Sequence, residues 1–412
     1  MSKPRIRVKG FEGDWKRKKL GELGFTVSGV GFPNVEQGGK TGMPFYKVSD
    51  MNSLGNEHQM LFANNYVTDL QIESNSWKPL TSLPAIIFAK VGAAALLNRK
   101  RLISSPCLFD NNMMAYCLSE YWQKSFAKSF FDSFDLRRLI QTGALPSING
   151  KEIEKAVAFL PNSKKEQSTI GDLLYLFDIL ICKLRDKIIR LNSLKICYLT
   201  RLFPIGGGTE PPMRFKNFQE GWEIIRLKDV AEKVTEKNTL REITEVFTNS
   251  AVHGIISQRD YFDHDVAKRD NIQGYYIVSE DDFVYNPRIS VTSPVGPINR
   301  NKTGKIGVIS PLYLVFKVHG INKSYLEYYF KTNCWHEYMR FNGNTGARFD
   351  RFSISDDDFF NMPIPVPKSP LEQESLANYF NNVDNLINLH TQELERLKAL
   401  KASFLDGMFV NP

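Results

Sequence analysis

Two stretches of the chain carry apolar residues at spacings that alternate between four and three. The first runs Ile170, Leu174, Phe177, Ile181, Leu184, Ile188, Leu191, and the second Leu376, Phe380, Val383, Ile387, His390, Leu394, Leu397. That alternation is the heptad seam of a coiled coil. The runs continue through Leu194, Tyr198, Leu202 and through Leu400, Phe404, Met408, with no proline inside either. Each predicts a helix of close to forty residues, roughly 55–60 Å long at ~1.5 Å per residue. A helix of that length with one apolar stripe needs a partner in water, and each copy is the natural partner of the other. Duplicated halves related by a pseudo-two-fold axis would pair these helices antiparallel. Two unrelated core helices in separate domains are the plainer alternative, but the matched seams favour a shared rod.

The seams belong to a longer repeat. Arg7, Lys9, Phe11, Trp15 and Leu20 recur as Arg214, Lys216, Phe218, Trp222 and Leu227, each displaced by 207 residues. Ser147-Ile148, Pro161, Glu166-Gln167, Asp178, Arg190-Leu191, Leu194-Lys195 and Phe203 recur 206 residues later as Ser353-Ile354, Pro367, Glu372-Gln373, Asp384, Arg396-Leu397, Leu400-Lys401 and Phe409. Thr142-Gly-Ala144 returns as Thr345-Gly-Ala347. One offset held over so many positions marks a duplication. Residues 25–135 and 232–340 resemble each other far less, so similar frames hold dissimilar contents.

Between the frames, Met43–Val48, Ala85–Ala89, Tyr275–Val278 and Tyr313–Val318 predict strands, while Tyr121–Phe131 and Tyr325–Phe341 predict aromatic-rich helices; the class is α+β. The segment Gly206-Gly-Gly208-Thr-Glu-Pro-Pro212 reads as a linker. The expected boundaries are a first module over 1–160, a helix over 161–205, the linker over 206–212, a second module over 213–366 and a second helix over 367–412.

The net charge of +8 makes a polyanionic partner attractive. Five cysteines without a Cys-x-x-Cys pair disfavour a disulfide scaffold or zinc knuckle, and with no secretory signal or spanning segment the reading is a cytoplasmic protein. Catalytic motifs fail on inspection. Gly38-Gly-Lys40-Thr41 lacks the first glycine of a phosphate loop, where Asn34 stands. His336-Glu337 lacks a second histidine, Arg340 occupying its place. Asn286-Pro287-Arg288 begins like the Asn-Pro-Pro-Tyr loop of adenine methyltransferases but stops short of it. No metal site is expected, and His390 on the seam reads as a polar register device.

Basic side chains on loops neutralise phosphates and, suitably aimed, read guanine edges. The candidates are Lys90, Arg99, Lys100 and Arg101 in the first module, and Arg288, Arg300, Lys302, Lys305 and Arg348, near Arg351, in the second. Any one of them could equally be an ordinary solvated cation. Lys16–Lys19, beside the repeated frame, reads as partner-facing or solvated.

The paired Pro…Glu-Gln…Asp…Arg-Leu…Leu-Lys tails, the Thr-Gly-Ala tripeptides and the two unlike modules resemble the specificity subunits of Type I restriction–modification systems over essentially the whole chain. The resemblance implies two target recognition domains separated by two long antiparallel coiled-coil helices, each domain reading one half of a bipartite, asymmetric sequence in double-stranded DNA. It implies two methyltransferase subunits docked on the frame and restriction subunits joining them. S-adenosylmethionine, ATP and magnesium would be bound by those partners and none by this chain, which would be non-catalytic. Two other functions stay open at this point: a coiled-coil adaptor binding only proteins, and a recognition fragment of a single-chain restriction enzyme.

Overall fold

The computed structural model describes residues 3–141, 146–261, 269–345 and 350–410. Two compact units emerge, one of residues 1–187 with 390–412 and one of residues 188–389. Both long helices form without interruption, Lys164–Arg201 and Pro370–Met408, and each contributes to both units.

The first module is built on a four-stranded antiparallel sheet of β1 (Gly24–Ser28), β2 (Ala85–Ala89), β3 (Lys100–Ile103) and β4 (Met113–Leu118), in the order β1-β4-β2-β3. The alternation of side chains along a strand sorts its residues onto two faces. Ile86, Phe88, Leu102, Met114 and Tyr116 pack toward the long-helix side, and Ala85, Ile87, Ile103, Met113 and Cys117 into a second core. Both faces are covered, which is why Ala85–Ala89 reads as one continuous apolar run.

The second module repeats this topology. Its sheet contains β5 (Ala231–Lys233), β6 (Phe283–Tyr285), β7 (Ile298–Arg300) and β8 (Leu314–Val318), in the order β5-β8-β6-β7, again antiparallel. Phe283, Tyr285, Ile298 and Phe316 face the helix side, while Val284 and Val315 face a separate core. The duplication therefore extends through the segments whose sequences have diverged. The late helix of the first module is Lys124–Ser133. In the second, the single helix expected over Tyr325–Phe341 is two, Lys323–Phe330 and His336–Asn342. The Thr332 hydroxyl donates to Tyr329 O and accepts from Cys334 N, closing the first before the second begins.

The repeated residues form a matched set of clamps. Glu166 is buried and accepts from Arg7 Nε (2.8 Å) and Trp15 Nε1 (3.1 Å). Glu372 accepts from Arg214 Nε (2.7 Å) and Trp222 Nε1 (3.2 Å). The neighbouring glutamines lock each module to its long helix. Gln167 donates to Pro161 O and accepts from Gln123 N; Gln373 donates to Pro367 O and accepts from Asn322 N. Gln123 and Asn322 are the N-caps of the late helices Lys124–Ser133 and Lys323–Phe330. Each frame also holds a two-stranded antiparallel pair, Lys16–Lys19 with Val157–Leu160 and Trp222–Arg226 with Pro363–Pro367.

Within each unit the helices run antiparallel. Asp178 meets Lys401 at 2.5 Å and Phe177 lies against Phe404 in one; Lys195 meets Asp384 at 2.5 Å and Tyr198 lies against Tyr379 in the other. The repeated Asp and Lys thus pair with each other's copies. All thirteen of the candidate seam residues Ile170, Leu174, Phe177, Ile181, Leu184, Ile188, Leu191, Leu376, Phe380, Val383, Ile387, Leu394 and Leu397 are buried or half-buried. Leu194 and Leu400 depart from expectation, at 50% and 42% exposed. The seam steps to Lys195 and Lys401 there, where the ion pairs with Asp384 and Asp178 take over from apolar contact. His390 is half-buried on the second helix, its Nδ1 3.5 Å from Glu393.

Candidate nucleic-acid interface

In both modules the hairpin between the second and third sheet strands is tied to the segment that returns toward the long helix. In the first, Gly92 N donates to Pro146 O and Ile148 N to Lys90 O, with Val91 and Ser147 bridged antiparallel. In the second, Ile289 N donates to Asp350 O and Phe352 N to Pro287 O, with Arg288 and Arg351 bridged in the same way. Each module thereby presents a two-stranded ledge, immediately after its Thr-Gly-Ala tripeptide. Of the tripeptides, residues 142–144 and 346–347 lie outside the described residues, as does Arg348.

The first ledge is formed by residues 90–99 and 146–148. Lys90 Nζ donates to Ser28 Oγ at 3.2 Å, and exposed Arg99 reaches Asn52 Oδ1. Between them a short helix, Ala93–Leu96, leaves Leu96 and Leu97 48% and 56% exposed. The second ledge is formed by residues 286–297 and 350–352. Asn286 shapes its base, accepting from Arg288 N and donating to Asn249 O. Arg288 and Arg351 are both exposed, and Val291 at the tip is fully so.

Three of the expected DNA contacts are corrected by burial. Lys100 is 2% exposed and donates to Phe134 O at 2.7 Å, and burial pushes its ammonium down to about 8. It lies in β3, facing the interior, and cannot reach DNA. Arg101 turns inward to Lys100 O and Met51 O, its pKa also lowered by burial. Arg300 ends β7 with only 10% of its side chain exposed, held by Glu327 at 3.0 Å and Asp281 at 3.7 Å. A charge run was expected to mean a loop; here it runs into a strand. Lys302, 3.5 Å from Glu327, and exposed Lys305 lie in the loop after β7, at the opposite end of that strand from Arg288. The structure brings Lys90 and Arg99 to one ledge and Arg288 to the other, and leaves Lys302 and Lys305 apart from both.

A family model described as the Type I restriction modification DNA specificity domain matches residues 219–399. Residues 219–399, the second module with most of its long helix, are thus similar to a Type I restriction–modification DNA specificity domain. A crystal structure of a Type I restriction–modification S subunit from M. genitalium is similar along 100% of both chains, at 13% identity and a TM-score of 0.61. A structure on complex assembly and conformational transition of the Type I R-M system is similar over 98% of both chains, at 15% identity and a TM-score of 0.50. At these identities the likeness is one of fold, and it spans both modules. For the matched residues the family points to DNA sequence specificity as the role.

Among the described residues no group of three or more His, Cys, Asp or Glu side chains is placed to hold a metal ion, and no helix is long and apolar enough to cross a membrane. Gly38-Gly-Lys40-Thr41 leads into the strand Met43–Tyr46, so no helix N-terminus stands behind it to receive a phosphate. His336 is lowered to about 4, first by burial and then by Arg340, which leaves a neutral ring beside Trp335. All five cysteines are free. What the sequence did not reveal is the ledge as a unit. Its one signal was the recurring Thr-Gly-Ala.

Proposed function

We propose that this chain is the specificity subunit that reads a bipartite, asymmetric DNA target, one half-site per module, and directs methyltransferase and restriction subunits to it. The observation that carries the reading is the recurrence of one ledge, with the same backbone hydrogen bonds, under unlike side chains. A reader of two different half-sites needs that combination: equal placement and unequal base-facing chemistry. Exposed Arg99, Arg288 and Arg351 supply charge for phosphates or base edges. The long helices act as the spacer between the half-sites, so only targets with a matching gap engage both modules and gain the high effective concentration of bivalent binding.

The chain itself supplies recognition and no chemistry. S-adenosylmethionine, ATP and magnesium belong to two methyltransferase subunits and to restriction subunits docked on the repeated frame, in the reducing cytoplasm. The test is a methylome. The chain is expressed with candidate Type I methyltransferase subunits in a methylation-free host, and modified adenines are mapped by long-read sequencing. A split, asymmetric motif with a fixed gap is the expected result; a soluble complex that modifies nothing, or that methylates a continuous palindrome, contradicts it.

A further inference from the structure

The two ledges share a scaffold but present opposite chemistry. On the first, the residue bridged to the return segment is Val91, opposite Ser147; on the second it is Arg288, opposite Arg351. Residues directly opposite in an antiparallel bridge project from the same face, so two arginine side chains leave the ledge from neighbouring positions, where like charges are unfavourable. Neither arginine side chain has a described partner within its own module, and both are exposed. A pair of adjacent forked donors held this way suits a surface offering paired acceptors. In the major groove that surface is guanine, with O6 and N7.

The first ledge has the reverse character. Ala93, Leu96 and Leu97 project from a one-turn helix into solvent, and Lys90, bonded to Ser28, and Arg99, bonded to Asn52, flank them. Single exposed leucines are common, but two consecutive ones between two cations form an apolar patch with a charged rim. The rim suits phosphates, and the patch suits the one apolar group that a base pair offers in the major groove, the thymine methyl.

Building on the DNA-reading function, we propose that the modules discriminate by different chemistry: Leu96 and Leu97 seat thymine methyl groups of the first half-site, and Arg288 with Arg351 takes guanine O6 and N7 in the second. The asymmetry of the target would then lie in the kind of base contact as well as in the sequence.

The test uses the full chain in complex with its methyltransferase partners and synthetic duplexes carrying the mapped motif. Uracil in place of thymine removes only the methyl group, and 7-deazaguanine removes only the N7 acceptor. Uracil in the first half-site is expected to weaken binding about threefold to fivefold per contacted thymine. 7-Deazaguanine in the second is expected to weaken it about tenfold. The crossed substitutions, 7-deazaguanine in the first half and uracil in the second, should change affinity less than about twofold. Leu96→Ser with Leu97→Ser should erase the uracil effect alone, and Arg288→Gln with Arg351→Gln the 7-deazaguanine effect alone. A split motif whose second half has no guanine, or whose first half binds equally well with uracil, overturns this assignment while leaving the DNA-reading function intact. Absence of any sequence preference defeats both.

Discussion

Removing the Glu372 carboxylate tests whether the repeated glutamate holds the frame together. Glu372 is 1% exposed and accepts from Arg214 Nε at 2.7 Å, Arg214 Nη2 at 2.6 Å and Trp222 Nε1 at 3.2 Å. Glu372→Ala strips the carboxylate from a guanidinium whose side chain is only 23% exposed and leaves a buried indole N–H with no acceptor. Breaking a buried pair from one side costs about 3–5 kcal/mol. Arg214 also reaches Glu220 O, which softens the loss, so about 3 kcal/mol is expected. The companion variant carries Glu372→Leu and Arg214→Met together. It leaves no orphaned charge and should lose less than Glu372→Ala alone, because the penalty lies mainly in the uncompensated partner. Urea unfolding followed by tryptophan fluorescence measures both, and hydrogen exchange assigns the change to the unit of residues 188–389. Glu166→Ala should give a similar loss in the other unit, where Arg7 keeps Gly13 O and Glu12 O and Trp15 Nε1 is stranded. The reasoning is refuted if Glu372→Ala costs under ~1 kcal/mol, or if the double variant is the less stable of the two.

Four further outcomes are expected. Burial would raise the Asp178 carboxyl, but the His58 hydrogen bond and the Lys401 and Lys128 charges outweigh it and hold it at about 2, below 3.8. A carboxylate with a depressed folded pKa stabilises fully above its unfolded value, so its roughly 2 kcal/mol fades as pH falls from about 4 to 2, and Asp178→Asn should flatten that part of the pH–stability curve. Lys100 titrates near 8 when folded against 10.5 when free, so the unfolded chain binds its proton more tightly and the wild type is penalised below pH 8. Lys100→Met should therefore raise the melting temperature at pH 7, by about 1–2 kcal/mol of stability after the loss of the Phe134 O contact, with the gain vanishing toward pH 10.5. A methyl group on Gly171 would overlap the Phe126 backbone, so Gly171→Ala should destabilise by about 1–3 kcal/mol in thermal melts, although alanine is native at the counterpart Ala377. Inserting seven residues into one long helix alone should abolish methylation or change the gap in the mapped motif; an unchanged gap would refute the spacer role.

The seam, the duplication and the antiparallel pairing were legible because they depend on local periodicity and on identical residues at a fixed offset. Asp178, Lys195, Asp384 and Lys401 stand out as repeats before their cross-pairing is known. Strand order was not legible, since β1 pairs with β4 across a long stretch of intervening chain and that pairing leaves no local mark. The common topology of the modules was hidden for the same reason: Ala231–Lys233 shares a place with Gly24–Ser28 without sharing its residues. Lys100, Arg101 and Arg300 misled because a cation in sequence carries no sign of facing inward, and their acceptors Phe134 O, Met51 O and Glu327 are distant in the chain. Leu194 and Leu400 misled by continuing a heptad that the seam leaves one residue later.

The most direct test of the central claim, that one chain carries two separately acting readers, is a module exchange read by methylome. Residues 216–360 are replaced by the corresponding segment of a Type I specificity subunit with a known motif, and the complex is mapped as before. The account predicts that one half of the split motif changes to the donor's, while the other half is retained. A change in both halves, or in neither, would contradict it.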